Sequence, residues 1–354
     1  LIVYLSIELV SFVSYILTNF TLQKRAHEAA IKYLLFGALT SAIILFGVAI
    51  TYNSQASIYI SEWSAVAFNE LFSQVGLLFI IFGLFFKISI FPFHIWTPAV
   101  YQSAPNDAVA VMSVVPKLAG LVLLGRILSE AQLSPDHWVL KVILWSGIAT
   151  ILIGTLGAIK QSNTRRMISF GAIAHSGFML PLVIVSSDTS RDAFWLYSVI
   201  YALMNMMIFY LVDRAEAQQM YKNEHYQWAR KEVVFGVSLV TILLSLVGLP
   251  PFAGFTAKFL LFATLWENYE LSKQPIYIIY LSGAVLASVF ALFYYMRLPF
   301  NIYISLKKSN DQVSIKFSNS TKFIATLFAI ALLLFFFVPE LVMEAQQLLN
   351  NVHE

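Results

Sequence analysis

Residues 233–266, VVFGVSLVTILLSLVGLPPFAGFTAKFLLFATLW, decide how this chain folds. The stretch is apolar enough for a bilayer interior, but it is much longer than the roughly 20 residues that one straight transmembrane helix needs. The run Gly248-Leu249-Pro250-Pro251 interrupts it, because proline lacks the N–H that a helix interior requires. The stretch is therefore either one crossing made of two half-helices or two crossings, and this choice sets the orientation of everything after it.

The rest of the chain has the composition of a polytopic membrane protein. Of its 354 residues, 59% are hydrophobic and 12% are charged, and the mean hydropathy is +0.76. A soluble domain carries about 25% charged residues, which cover its water-facing surface. The net charge of +3 is spread along the chain, which argues against nucleic-acid binding. The absence of cysteine excludes disulfides, thiolate zinc sites and cysteine-bound iron–sulfur clusters.

Hydropathy predicts ten transmembrane segments in an all-α protein. Their approximate bounds are 1–20, 29–52, 75–96, 107–128, 138–159, 167–186, 192–212, 233–266, 275–299 and 322–343. If 233–266 crosses once, loops on one side hold fourteen of the 22 basic residues, whereas the opposite loops hold only Arg191 and Lys273. This is the asymmetry of the positive-inside rule, and it places residues 1 and 354 on the outer side. Two crossings at 233–266 would abolish it.

Four charged residues lie deep inside apolar segments: Glu8, Lys87, Lys117 and Lys258. Each costs about 2.5–3.5 kcal/mol at a helix centre, on the order of 10 kcal/mol together. One structural interpretation is that Glu8 pairs with a lysine and the others extend to the interface. However, three lysines outnumber one carboxylate, and an unpaired buried ammonium holds its proton less firmly. The pattern therefore predicts charge movement across the membrane.

Two prolines break the segments that carry Lys87 and Lys258. Pro92 follows Lys87 by five residues, whereas Lys258 follows Pro251 by seven, so the order is reversed. The two broken segments, the third and the eighth, are five spans apart, which predicts two five-helix repeats of opposite topology. Backbone carbonyls freed by such breaks are tolerated where they line a hydrated cavity.

Two histidines are further candidates. His94 lies just after Pro92, and His175 lies within the sixth segment. Either could relay protons, because an unperturbed imidazole titrates near pH 6.5. Each is equally compatible with a structural histidine bonded to a backbone carbonyl. The sequence contains no GxGxxG, P-loop or Ser-His-Asp pattern.

Five motifs in this order resemble the antiporter-like membrane subunits of respiratory complex I. They are FKISIFPFHIWTPAVYQSAP (86–105), SVVPKLAG (113–120), QSNTRRMISFGAIAHSGF (161–178), YALMN (201–205) and GLPPFAGFTAKFLLF (248–262). Within that family the chain is most similar to the NADH dehydrogenase subunit 2 type, subunit N in bacteria. Subunit 4 types usually carry Glu at the position of Lys258, and subunit 5 types lack the WxPxVY pattern that begins at Trp96.

The resemblance implies a proton-translocating subunit of an enzyme that passes electrons from NADH to quinone. It implies that Glu8 couples electrostatically to Lys87, that Lys117 bridges towards the far half, and that Lys258 lies near a half-channel. It also places His94 and His175 on a hydrated central axis. Six residues are thus expected to translocate protons: Glu8, Lys87, Lys117, Lys258, His94 and His175.

The resemblance further implies partners and a location. NADH, FMN, iron–sulfur clusters and quinone are expected on partner subunits, with no cofactor or metal on this chain. Other membrane-arm subunits and lipids are the expected partners. The expected location is the mitochondrial inner membrane or the bacterial plasma membrane, with the basic loops on the matrix or cytoplasmic side.

The chain departs from the family pattern at two places. The family usually reads WAPDVYEGAPTPV where this chain has WTPAVYQSAPNDAV, so Ala99 and Gln102 replace two acids, which predicts altered subunit contacts. The family also has about fourteen spans, and Glu8 belongs to its fifth. Residues 1–354 are therefore expected to form a single antiporter-like domain without the first four helices, which fits either a separately encoded N-terminal fragment or a longer chain.

Two other functions remain open. Subunits of multi-chain sodium/proton antiporters and of membrane-bound hydrogenases use related folds. A structural membrane scaffold that no longer pumps is the third interpretation, and the four buried charges argue against it.

Overall fold

The computed structural model is a bundle of α-helices. It describes residues 2–63, 66, 68, 70–185, 187–304, 317–342 and 344. The helices are α1 (Ile2–Thr18), α2 (Lys24–Gln55), α3 (Leu71–Ile88), α4 (Trp96–Ser103), α5 (Asn106–Ala131), α6 (Trp138–Ile159), α7 (Thr164–Ile184), α8 (Asp188–Glu216), α9 (Val233–Val247), α10 (Ala253–Ser272), α11 (Pro275–Tyr295), α12 (Arg297–Tyr303) and α13 (Asn319–Phe337). Two 3-10 helices, Ile60–Glu62 and Asn223–Lys231, lie in loops. Within these residues there is no strand, only one isolated bridge between Asn163 and Lys222.

The helices form ten membrane segments in the described part of the chain. Eight helical stretches are long and apolar enough to cross a membrane, and α1 and α9 are shorter apolar helices. The third segment is divided into α3 and α4, and the eighth into α9 and α10. The prediction of an all-α, multi-pass protein with two broken segments is confirmed. The inverted symmetry of the two halves stays a prediction.

The eighth segment crosses the bundle once. Its two halves, α9 and α10, pack against the same neighbours, α8, α11 and α13. Two halves of one interrupted crossing are expected to share neighbours in this way. The single crossing deduced from the basic loops therefore holds.

The two helix breaks have the same local construction. At the end of α3, Ser89 adopts the left-handed conformation (φ 62°), and the N–H of Ile90 donates to the carbonyl of Phe85 at 2.8 Å. At the end of α9, Gly248 adopts φ 85°, and the next amide makes the equivalent bond. This is the usual helix C-terminal motif, after which proline prevents the helix from continuing. Both breaks are thus dictated locally.

Prolines also occur inside two continuous helices. Pro116 in α5 and Pro181 in α7 each leave the carbonyl four residues earlier without its helical donor. Buried tyrosines supply the missing bond. Tyr101 donates to the carbonyl released by Pro116 at 3.3 Å, and Tyr280 to that released by Pro181 at 2.5 Å. Neither helix therefore contains an unpaired carbonyl at these points.

Polar bonds lock together the end of the bundle that carries Lys24, Lys160 and Lys222, called here the basic end. Arg165 forms an ion pair with Glu216 and donates to the carbonyl of Ala104 at 2.8 Å. The amide of Asn106 donates to Asp213 at 3.2 Å and to Glu216 at 3.1 Å. Three helices (α5, α7 and α8) and the turn after α4 therefore meet at one set of charges.

Helices α6 and α7 touch backbone to backbone at Gly154. A Cβ atom added there would lie 2.6 Å from the backbone N of Ala174 and 2.8 Å from the carbonyl oxygen of Phe170. Such distances are shorter than van der Waals contact, and backbone atoms cannot turn aside. On α11, a Cβ at Gly283 would meet only Ile148, at 4.0 Å.

We therefore expect Gly154→Ala to destabilise the bundle by about 1–3 kcal/mol because the helices must separate. Gly283→Ala is the matched control, and it should be neutral or stabilising by up to about 1 kcal/mol because alanine favours the helix. The apparent melting temperature of the detergent-solubilised chain is the measurement. Equal melting of the two variants would contradict the packing described.

Candidate functional site

Five ionisable residues inside the bundle, four of them buried and one partly buried, are carried by neighbouring helices. They are Glu8 on α1, Lys87 on α3, Lys117 on α5, His175 on α7 and Lys258 on α10. Each comes from a different helix. An ion pair joins Glu8 to Lys87, and electrostatic effects join His175 to both Lys117 and Lys258.

Glu8 and Lys87 form an ion pair of 3.2 Å, with side chains 16% and 5% exposed. The ammonium of Lys87 also donates to the Ser11 hydroxyl at 2.6 Å. The hydroxyl of Ser41, on α2, donates to the same Glu8 oxygen at 2.7 Å. Lys87 lies in the last turn of α3, where the negative end of the helix dipole favours a cation. The pair is therefore stabilised by two hydroxyls and a helix end.

Lys117 is fully buried, and its polar partner is a neutral oxygen. Its ammonium donates to the carbonyl of Ala172 on α7 at 2.9 Å and lies 5.8 Å from the centre of the Tyr101 ring. Among the described residues, no carboxylate lies within ion-pair distance of it. A buried ammonium without a counter-charge is held only by dipoles and the ring face.

Lys258 bonds to the carbonyl groups that the second helix break leaves free. Its ammonium donates to Val247 at 2.6 Å and to Leu246 at 3.3 Å, both in the last turn of α9. It also lies 4.8 Å from the centre of the Phe178 ring. A Cβ at Gly248 would lie 2.7 Å from the Lys258 side chain, so glycine is needed there for space as well as for its positive φ.

His175 lies between the two lysines that lack a carboxylate. Its Nδ1 is 2.9 Å from the hydroxyl of Tyr197, and its ring lies 5.9 Å from that of Phe178, which Lys258 also contacts. Both Lys117 and Lys258 act on it electrostatically. The sequence left its role open. The structure places it near both lysines, and its part in proton transfer stays a prediction.

His94 is separate from the other five predicted residues. It lies in the break between α3 and α4, its ring 6.0 Å from that of Phe91, and its buried Nδ1 has no partner among the described residues. The neighbouring amide of Phe91 donates to Thr150 on α6 at 2.9 Å. His94 is thus close to Lys87 in sequence, but the described contacts do not join the two side chains, because the chain turns between them.

A small cavity reaches the ion pair from between α1 and α5. Its volume is about 130 Å³, and its lining includes Lys87, Ser11, Pro116 and Gly120. Gly120 is one helical turn from Lys117, and a Cβ there would come within 4.0 Å of Lys87. The cavity therefore joins the Lys87 side of the row to the helix that carries Lys117, and it is large enough for several water molecules.

Five supporting side chains were not predicted from the sequence: Ser11, Ser41, Tyr101, Phe178 and Tyr197. Ser11 was detectable, since it lies three residues after Glu8 and therefore on the same helical face. Ser41 and Tyr197 are brought in by helix packing, which no local pattern reports. The described residues contain no group of three or more His, Asp or Glu side chains that could hold a metal ion.

Comparison with known proteins identifies the family. Residues 1–294 match the family described as "NADH:quinone oxidoreductase/Mrp antiporter, TM". The chain belongs to this family. Its buried row therefore lies within the part of the chain that defines the NADH:quinone oxidoreductase/Mrp antiporter family.

Individual relatives agree with this assignment. The chain is 34% identical over 335 residues to NADH-quinone oxidoreductase subunit N 2 of Sorangium cellulosum, covering 89% of this chain and 65% of that protein. It matches a chain of respiratory complex I from Thermus thermophilus at a TM-score of 0.80 and 25% identity, over 96% of this chain and 74% of the other. It shares the fold of a chain of the Mrp complex from Dietzia sp. at a TM-score of 0.84 and 19% identity, over 96% of this chain and 71% of the other. The chain spans about two thirds of the length of the curated relatives it matches.

The Glu8–Lys87 contact predicts a specific pattern of stability. Glu8→Gln leaves a buried cation without its counter-charge, and Lys87→Met leaves a buried carboxylate. Each should destabilise the chain by about 3 kcal/mol, whereas the double variant should lose much less than the sum. The measurement is the apparent melting temperature of all four forms in detergent. Additive losses would mean that the two side chains do not interact.

Proposed function

We propose that this chain is a proton-translocating membrane subunit of an NADH:quinone oxidoreductase. The observation that carries the proposal is the row itself: two buried lysines, Lys117 and Lys258, bonded to neutral oxygens and joined by His175. A rigid structural ion pair needs one carboxylate for each buried cation, and this row has fewer. Membership of the family and the name of the Sorangium relative support the same function.

The proposed mechanism is electrostatic coupling along the row. Opening of the Glu8–Lys87 pair would leave an uncompensated charge beside α5, which changes how firmly Lys117 holds its proton. That change would pass through His175 to Lys258, since both lysines act on the imidazole. Moving one charge against 100 mV costs about 2.3 kcal/mol, equivalent to a roughly 50-fold change in proton affinity. Shifts of this size are within reach of buried groups that face changing charges.

His94 is proposed as a peripheral member of the pathway. Its Nδ1 has no hydrogen-bond partner among the described residues and lies in the first break, away from the ion pair. There it could exchange a proton with any donor or acceptor that reaches the break. Pro92, Pro250 and Pro251 are proposed to keep the two breaks open rather than to react.

The proposed enzyme implies cofactors and partner subunits outside this chain. NADH, FMN, iron–sulfur clusters and quinone would bind partner subunits, and neighbouring membrane-arm subunits would contact this one. The basic end would face the cytoplasm of a bacterium or the mitochondrial matrix, because positively charged loops are retained on that side.

A sodium/proton antiporter subunit is the second candidate function. The family description includes Mrp antiporters, and the fold is shared with a chain of an Mrp complex. Transport that requires sodium, in a complex that lacks NADH-oxidising subunits, would favour this candidate. Transport driven by NADH oxidation and independent of sodium would favour the first.

Lys258→Met tests the proposed pathway. Methionine fills the same space without a charge, so the assembled complex should still oxidise NADH with quinone but should pump fewer protons per electron. Lys273→Met is the matched control, because Lys273 is an exposed lysine paired with Glu270 outside the row. Proton uptake into vesicles during NADH oxidation is the measurement. Normal pumping by Lys258→Met would remove this lysine from the pathway.

A further inference from the structure

A polar pocket lies at the basic end, apart from the buried row. Its volume is about 310 Å³, and it lies between the start of α2, helix α4 and the start of α7. Its lining includes Arg25, Glu28, Lys32, Ala99, Gln102 and Arg166. We infer that this pocket binds the headgroup phosphate of an anionic phospholipid.

The pocket has an excess of positive charge. Among the described residues, Arg25, Lys32 and Arg166 form no ion pair, and Glu28 is the only carboxylate in the lining. Arg166 instead makes a long hydrogen bond, 3.4 Å, from its Nη1 to the amide oxygen of Gln102. Two guanidinium groups and one ammonium group face a single carboxylate, which leaves two positive charges for a ligand. Such cations bind phosphate oxygens strongly.

Helix α4 contributes no acid to neutralise these cations. Ala99 and Gln102, both uncharged, are the residues through which α4 lines the pocket, together with Ser103. A carboxylate at position 102 would pair directly with Arg166. The uncharged side chains of α4 therefore leave both the space and the charge for an external anion.

The apolar surface beside the pocket identifies the anion as a lipid. On α2, the pocket-lining positions Arg25, Glu28 and Lys32 recur at helical spacing, and the same stripe continues as Leu35, Phe36 and Leu39. Those three side chains are 64%, 45% and 56% exposed. A phosphate in the pocket would thus place its acyl chains along this stripe, whereas free phosphate would leave the stripe uncovered. Basic pockets at this end of membrane helices suit anionic headgroups.

The inference is tested with the full chain in detergent, by native mass spectrometry during titration with phosphatidylglycerol or phosphatidylcholine. Phosphatidylglycerol should bind and phosphatidylcholine should bind far more weakly. The triple variant Arg25→Gln/Lys32→Gln/Arg166→Gln should raise the Kd for phosphatidylglycerol roughly 100-fold, about fivefold for each charge. Equal binding of both lipids, or an unchanged Kd in the triple variant, would overturn the inference.

The matched control removes three cations from the same end of the bundle. Lys160, Lys222 and Arg230 are exposed and do not line the pocket. Their combined change to Gln should leave the Kd within about twofold, since headgroup attraction falls within a Debye length. An equal loss in this control would show that net charge, not the pocket, attracts the lipid, and would overturn the inference.

A second variant keeps all the cations and fills the pocket with charge. Ala99→Asp/Gln102→Glu should weaken phosphatidylglycerol binding in the same direction, because the new carboxylates compete for Arg166 and its neighbours. Unchanged binding would overturn the inference even if the triple variant fails to fold.

Two further experiments distinguish the lipid from other occupants of the pocket. Displacement of phosphatidylglycerol by low millimolar inorganic phosphate would assign the pocket to free phosphate and overturn the lipid. A photo-crosslinking residue at Ser103, which also lines the pocket, should form a lipid adduct in native membranes. A protein adduct there would assign the pocket to a neighbouring subunit instead. The inference concerns this surface alone and does not depend on proton translocation.

Discussion

An ammonium group inside a bilayer must be solvated by oxygen atoms of the protein, and the rest of this structure depends on that constraint. Lys258 obtains its oxygens from the interrupted end of α9. Lys87 lies in the last turn before the other interruption and adds Glu8 and Ser11. Both cations therefore lie at helix C-termini, where free carbonyls and the helix dipole act together. The broken helices are the means by which an apolar bundle holds cations.

The same need for paired oxygens explains the buried tyrosines. A proline inside a transmembrane helix frees a carbonyl that has no water to bond, and each unsatisfied group is costly in a bilayer. Tyr101 and Tyr280 donate to the two carbonyls so freed. A glycine makes room for one of them, since a Cβ at Gly147 would lie 2.2 Å from the Tyr280 hydroxyl. Proline, tyrosine and glycine thus act as one set, although they lie on three different helices.

The sequence could predict only those features that a short stretch of residues encodes. Hydropathy and proline placement were sufficient for the ten segments and both breaks, and charge in an apolar run was sufficient for Glu8 and the three lysines. The sequence could not predict hydrogen-bond partners that another helix supplies. The contact between Ser41 and Glu8, for example, depends on how α1 and α2 pack. His94 is a second case, since its position after Pro92 did not indicate that its ring would lie beside Phe91 with no polar partner among the described residues.

The two ends of the row are physically different. At one end, opposite charges meet in the Glu8–Lys87 pair, so a movement of either side chain changes the local charge. At the other end, Lys258 is held by neutral carbonyls, so its own geometry responds little, but its proton responds to the field of its neighbours. Attraction between charges falls with distance and is weakly screened in an apolar interior. In the proposed function, a change of charge at the pair would therefore alter the proton affinity of the lysines further along the row without contacting them.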